Sequence, residues 1–292
     1  MRRFEDYHPL ALFLYFLAVG LLVTLFMHPC IVVLSLLGAI SLWLVRNGGA
    51  GARSHLFYLA FFVIMVLVNL LFRHGGATVL LVLNHNPVTL ESLLYGVFAG
   101  AMLISVMYWC RSLSQVMSAD KLLYLFGKLS PRLALIVSMA MRYIPLFTRQ
   151  AGRVQAVQRA MGEGQRDNLI DNTRASLKTV SVMTTWALEN GIVTADSMAA
   201  RGYGVGRRSV YHLFRWHPGD VVLLLAVLLL GMAVAILGGM GALRMVWYPY
   251  LAAISTAPAA VVAYVAYGML AFLPTALEIG ERARWKYLHS KI

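Results

Sequence analysis

Six apolar stretches free of charged residues run along the chain: Leu10–Met27, Ile31–Val45, Leu56–Phe72, Leu93–Cys110, Val221–Gly239 and Leu251–Leu273. A helix crosses the hydrocarbon of a bilayer in about 20 predominantly apolar residues, within a range of about 17–25. Five stretches qualify as they stand, and the second does once Pro29 and Cys30 are included. The pattern predicts an all-α membrane protein with six transmembrane helices. Arg2 and Arg3 precede the first stretch as they would in a signal peptide. Its exit is His28-Pro29-Cys30 with no small-residue cleavage pattern, which predicts a retained helix. A further apolar stretch, Leu133–Phe147, carries Arg142 and is bracketed by Pro131 and Pro145. Making it a span would export the basic run that follows, so a packed helix at the interface is expected.

Residues 113–217 hold no other candidate span, yet helical patterning persists through them. Leu122, Leu125, Phe126 and Leu129 form an apolar stripe with Asp120, Lys121 and Lys128 off it. Ser130-Pro131 ends that helix and starts the next. Val154, Val157 and Met161 recur at helical spacing, and Gly162 and Gly164 punctuate the end. A third stripe follows Leu177, Val180, Met183 or Thr184, and Ala187. Gly191 is expected to interrupt it, with Thr194 capping a short final helix, Asp196 in its first turn and Gly202 at the left-handed position after its end. The predicted organisation is four spans in 1–112, a cytoplasmic helical module in 113–217, and two spans with a basic tail in 218–292.

Composition agrees with a membrane body: 60% of the 292 residues are hydrophobic and 13% charged, against about a quarter charged in soluble domains. Charge then sets the orientation. With six spans and a cytoplasmic N-terminus, the inside segments are 1–9, 46–55, 111–220 and 274–292. They hold 23 of the 25 Lys and Arg, leaving Arg73 and Arg244 outside. The positive-inside rule therefore places both termini in the cytoplasm. The net charge of +13 reflects that orientation, and no nucleic-acid partner is implied.

Chemistry is sparse. Cys30 and Cys110 offer no metal-ligand spacing, and His28, His74 and His85 form no HExxH-type pattern. No GxxxxGKS/T loop is present, so no nucleotide or other cofactor is expected in this chain. The spans carry no ionisable residues, which argues against a membrane enzyme and against a self-sufficient channel or carrier. Asn69, the polar residue at depth, is expected to bond between helices. Between Arg149 and Arg215 lie ten basic and five acidic residues, a surface suited to anionic lipid headgroups or an acidic partner. Arg201 differs from the rest. Lying between Ala200 and Gly202, it protrudes either as a cap for its own helix or as a docking finger.

Three blocks carry a family resemblance: Asn86-Pro-Val-Thr-Leu-Glu-Ser-Leu-Leu-Tyr-Gly96, Met141-Arg-Tyr-Ile-Pro-Leu146, and Ala195-Asp-Ser-Met-Ala-Ala-Arg-Gly-Tyr-Gly204. In order and spacing, from about Leu71 to Asp220, the chain resembles the transmembrane (T) component of energy-coupling factor transporters, the EcfT/CbiQ-like family. The resemblance implies a non-catalytic scaffold in a bacterial or archaeal cell membrane. Its implied partners are two ABC-type ATPase subunits and a small S component that captures a vitamin or metal ion. It also implies two coupling helices, each ending in an Ala-Arg-small motif that docks on an ATPase. The second motif stands intact as Ala200-Arg201-Gly202. The first falls on Gln158-Arg159-Ala160-Met161-Gly162, where Met161 replaces the arginine. Arg159 could take over that contact only from about 200° around the helix. Gly162, Gly164 and Gly191 are the implied hinges. A conventional ABC permease, moving solute through its own helices, is the alternative.

Overall fold

The computed structural model describes residues 4–48, 52–73, 75–83, 86–162, 169–206 and 214–290. Arg2, Arg3, His74, His85, Gly164 and Lys291 lie outside the described residues. The chain divides into two compact units, Met1–Leu122 with Phe214–Ile292, and Leu123–Leu213.

The first unit opens with a 3-10 turn, Phe4–Asp6, followed by α1 (Pro9–Leu25), α2 (Pro29–Asn47) and α3 (Ala52–Phe72). A short antiparallel hairpin, β1 (Val79–Leu83) and β2 (Asn86–Thr89), leads into α4 (Leu90–Val116). After α5 (Ala119–Leu129), α6 (Pro131–Ala160) and α7 (Leu169–Ala200), the unit resumes with α8 (Pro218–Gly239) and α9 (Pro258–His289). Helices α1, α2 and α8 each start at a His-Pro pair: proline presets the first helical φ, and the His8 and His28 rings accept the Leu10 and Cys30 N–H groups at 3.2 and 3.4 Å. Among the described residues, α2, α3, α4, α8 and α9 are long and apolar enough to cross a membrane, and α1 is a shorter apolar helix of 17 residues.

The expected stretches thus become helices, with shifted ends. Pro29 and Cys30 do belong to α2, and α4 runs past Cys110 to Val116. The last helix begins at Pro258 rather than Leu251 and continues to His289, well beyond Leu273. The hairpin replaces an expected loop. Its register pairs Val79 with Thr89 and Leu83 with Asn86, with an irregularity between Val79 and Leu81.

Close approach and internal hydrogen bonds hold the spans together. A Cβ at Gly38 would lie 2.9 Å from both the Cβ and the carbonyl oxygen of Ala271, so α2 and α9 meet backbone to backbone. Around that contact, buried hydroxyls find partners inside the bundle. Ser35 Oγ bonds Ser105 Oγ at 2.5 Å and accepts from Trp109 Nε1 at 3.0 Å. Tyr15 OH donates to the Leu270 carbonyl at 3.1 Å and Tyr267 OH to that of Val19 at 3.3 Å. Asn69 does not bond across helices; its Nδ2 donates to the Met65 carbonyl of its own helix at 3.0 Å, which satisfies the amide without a neighbour.

Both ends of the bundle are tied down. At one, Thr89 caps α4 by accepting the Ser92 N–H at 3.3 Å, and the Glu91 carboxylate accepts the Thr78 N–H. Arg73, one of the two basic residues expected outside, stacks its guanidinium 4.4 Å from the Tyr95 ring and 5.2 Å from that of Tyr248. At the other end, the N-terminal segment grips both connections to the second unit. Lys121 donates to the Glu5 carbonyl, while the His8 N–H donates to Asp220 Oδ1 at 2.9 Å and the His8 ring stacks on Trp216 at 3.9 Å.

The Gly38–Ala271 contact leaves no room for a larger side chain. Gly38→Leu is expected to cost about 1–3 kcal/mol by overpacking, read as a lowered thermal midpoint of the detergent-purified chain. An unchanged midpoint would show that α2 and α9 can separate freely.

Candidate functional site

The second unit is built on α6 and α7. Ser130 precedes α6 and Pro131 opens it. The separate helices expected before and after Pro145 are one helix of 30 residues that carries the proline inside. Pro145 removes a single intrahelical donor, and Thr148 Oγ1 donates back to its carbonyl at 2.9 Å. Helix α7 is likewise continuous for 32 residues. Gly191 does not interrupt it and Thr194 does not cap a new helix: Thr194 Oγ1 donates to the Asn190 carbonyl at 2.7 Å in mid-helix. Asp196 therefore sits near the end of a long helix, not in the first turn of a short one.

Three cross-helix pairs set the direction of packing. Tyr143 OH bonds Thr194 Oγ1 at 2.8 Å, Phe147 meets Trp186 edge-on at 5.4 Å, and Thr179 Oγ1 donates to Gln158 Oε1 at 2.9 Å. Partners on α7 fall in number as those on α6 rise, so the helices are antiparallel. A groove of about 660 Å³ runs along this seam, with Phe147, Ala151, Gln155, Val180, Met183 and Ala187 in its walls. The α7 stripe read from the sequence reaches this seam in part: Val180, Met183 and Ala187 line the groove and Met183 is buried, whereas Val157 and Leu177 are 57% and 70% exposed. Aromatic and amide–hydroxyl pairs complete the seam, and periodicity alone does not single those out.

The sequence-derived docking residues lie at the helix ends. Helix α7 finishes at Ala200, and Gly202 takes φ 75°. The Gly202 N–H bonds the Ala199 carbonyl at 2.9 Å and the Tyr203 N–H bonds that of Met198 at 3.0 Å, the paired bonds of a Schellman end. Arg201 is the exposed residue between the last helical alanine and that glycine. Helix α6 finishes in the same way: Ala160 is last, Gly162 takes φ 81°, and the Gly162 N–H bonds the Arg159 carbonyl at 3.0 Å. Met161, 66% exposed, stands where Arg201 stands. Arg159 is also exposed, but two residues earlier on the helix.

Antiparallel packing keeps these two ends apart. Gln158, beside the α6 end, is level with Thr179, and Arg201 lies 22 residues further along. At 1.5 Å per residue that is about 30 Å. Each end therefore offers a separate handle. Among the described residues of this unit, Met183 is the one buried hydrophobic side chain, whereas Leu133, Ile136, Ile144, Leu188 and Ile192 are each more than half exposed. These two helices thus leave a broad apolar surface exposed relative to the core they share. Among the described residues no group of three His, Cys, Asp or Glu side chains could hold a metal ion.

Comparison with known proteins bears on this arrangement. The family model described as CbiQ, cobalt transport protein, matches residues 5–212, which takes in most of the chain before α8 and leaves α8 and α9 outside the match. A curated relative, the energy-coupling factor transporter transmembrane protein EcfT 1 of Listeria monocytogenes serotype 1/2a (strain 08-5578), is 24% identical over 186 residues, covering 59% of this chain and 69% of the relative. With its apolar helices and its pair of glycine-terminated long helices, the chain belongs to the CbiQ family, the EcfT-like transmembrane components of energy-coupling factor transporters.

Proposed function

We propose that this chain is the scaffold of an energy-coupling factor importer. It transmits the ATP-driven motion of two ABC-type ATPase subunits to a small membrane S component that binds a vitamin or a metal ion. The observation that carries this reading is the matched pair of helix ends, Ala160-Met161-Gly162 and Ala200-Arg201-Gly202, held apart on antiparallel helices. Two ATPases need two separate points of attachment, and a rigid helix carries a push at its tip along its whole length.

On this reading Arg201 pairs with acidic residues in a groove on one ATPase, with Ala200 and Gly202 small enough to let the groove wall approach. The other ATPase takes Ala160 and Gly162, with Met161 as an apolar contact and Arg159 as the nearest charge. Of the three glycines expected as hinges, Gly162 at the end of α6 is where the lever can bend; an added Cβ would meet nothing within 4 Å there, whereas Gly191 lies inside the unbroken α7. The exposed apolar faces of α6 and α7 supply the surface that shifts against the S component. The excess of Lys and Arg supports a cytoplasmic position for this unit and for both termini, in a bacterial or archaeal cell membrane.

Reversing the charge at the first of these contacts tests the assignment. Arg201→Glu would set a carboxylate against the partner's acidic groove, and removing one member of a buried pair costs roughly 3–5 kcal/mol. ATPase co-purification and solute uptake are expected to fall at least tenfold while the chain still reaches the membrane. If both survive, Arg201 serves only its own helix end. At the other contact, Met161→Arg restores the motif and is expected to keep, or tighten, ATPase binding in a pull-down. Loss of the complex would mean that the partner groove is built around an apolar side chain.

A further inference from the structure

Where α2, the N-terminal turn and the last third of α9 converge, the first unit encloses a cavity of about 720 Å³. Its charged lining is evenly balanced: Glu5, Glu278 and Glu281 against Arg46, Arg282 and Lys286. Arg46 spans it, with Nη2 2.9 Å from Glu5 Oε2 and Nε 3.8 Å from Glu278 Oε1. Those contacts leave Arg46 Nη1 buried without a hydrogen-bond partner. Glu281 is 9% exposed and lines the same cavity, and its Oε2 is also buried without a partner. A buried donor on a cation and a buried acceptor on an anion, both unsatisfied, are costly for a folded chain to keep. They define what would complete them: a ligand that accepts from a guanidinium and donates to a carboxylate.

Val45, Ile279 and Trp285 form the remaining wall. Ile279 and Trp285 are 51% and 57% exposed, and Leu37 and Leu44 continue an apolar flank along α2. A tryptophan beside a charged site at the end of a span is the usual furniture of the headgroup level. The cavity therefore combines a polar floor with an exposed apolar flank that continues along the span α2, which fits an amphiphile better than a soluble ion.

We propose that this cavity binds the headgroup of phosphatidylethanolamine, its ammonium donating to Glu281 and its phosphate accepting from Arg46, with Arg282 and Lys286 at the rim. The charge balance decides between lipids. Phosphatidylglycerol brings no positive charge to set against three carboxylates and can offer Glu281 only a neutral hydroxyl. A choline headgroup has no N–H to donate. A primary ammonium beside a phosphate gives each orphaned atom a charge-assisted hydrogen bond. This assignment rests on the membrane-spanning body alone and stands or falls separately from the coupling role.

Native mass spectrometry of the purified full chain, transferred from nanodiscs of mixed phosphatidylethanolamine, phosphatidylglycerol and phosphatidylcholine, reads the retained lipid. Phosphatidylethanolamine is expected in about tenfold excess over the other two, since one charge-assisted hydrogen bond is worth about that factor. Glu281→Gln should abolish the excess while leaving phosphatidylglycerol retention unchanged. Stepwise N-methylation of the lipid on the wild-type chain should do the same, a readout that does not depend on the variant folding. Equal retention of the three lipids, or an excess that survives either change, overturns the proposal. Protection of the detergent-purified chain against heat by free phosphoethanolamine as strong as that by the intact lipid would replace the lipid by a soluble ligand.

Discussion

Hydrocarbon offers no hydrogen bonds, and most of this architecture is an answer to that fact. Each span is helical because only a helix satisfies its own backbone in lipid. The polar side chains that remain inside are then closed into small internal circuits: Ser35 with Ser105 and Trp109, Tyr15 on Leu270, Tyr267 on Val19. Lipid also removes the hydrophobic drive for helices to associate. Packing must take its place, which is why Gly38 and Ala271 bring α2 and α9 to within backbone contact. Where the spans end, the same economy applies. Histidines accept the first N–H groups of α1 and α2, and Glu91 and Thr89 finish the turn into α4.

The second unit obeys a different rule. Its long helices touch along a seam of few residues and leave broad apolar faces uncovered. Such helices would be poor at holding a shape of their own, yet each is unbroken from end to end. Stiffness along the axis combined with little lateral anchoring suits an element that has to move as a unit. In the proposed coupling role, a large private core would resist that motion.

The spans were legible because lipid demands an unbroken apolar run, and that demand shows directly in sequence. Their ends were less so. Leu251–Ala257 is as apolar as the helix behind it, but helix begins only where Pro258 can open it. The hairpin escaped notice because Val79–Leu83 is a short apolar run of the kind that loops also contain. Gly191 misled for another reason. An exposed helical glycine costs about 1 kcal/mol relative to alanine, which α7 offsets through Thr194, Trp186 and Thr179 against Tyr143, Phe147 and Gln158 of α6. At the C-terminal ends of α6 and α7 the sequence was a good guide: Gly162 and Gly202 both take the left-handed conformation expected after a helix. The first motif already set Met161 in the place that Arg201 takes in the second; what it could not show was that the two stand at opposite ends of one antiparallel helix pair.

The grip of the N-terminal segment on Lys121 and Asp220 also has a bearing on how the protein is made. His8 leaves the ribosome early, but its partner Asp220 follows 212 residues later. At about 5–20 residues per second that interval is tens of seconds. Throughout it the first spans are already in the bilayer while the closure of the bundle waits for the chain to return. Translation order thus leaves the segment around His8 unfixed until Asp220 has been made, and a chain released before α8 has nothing with which to close.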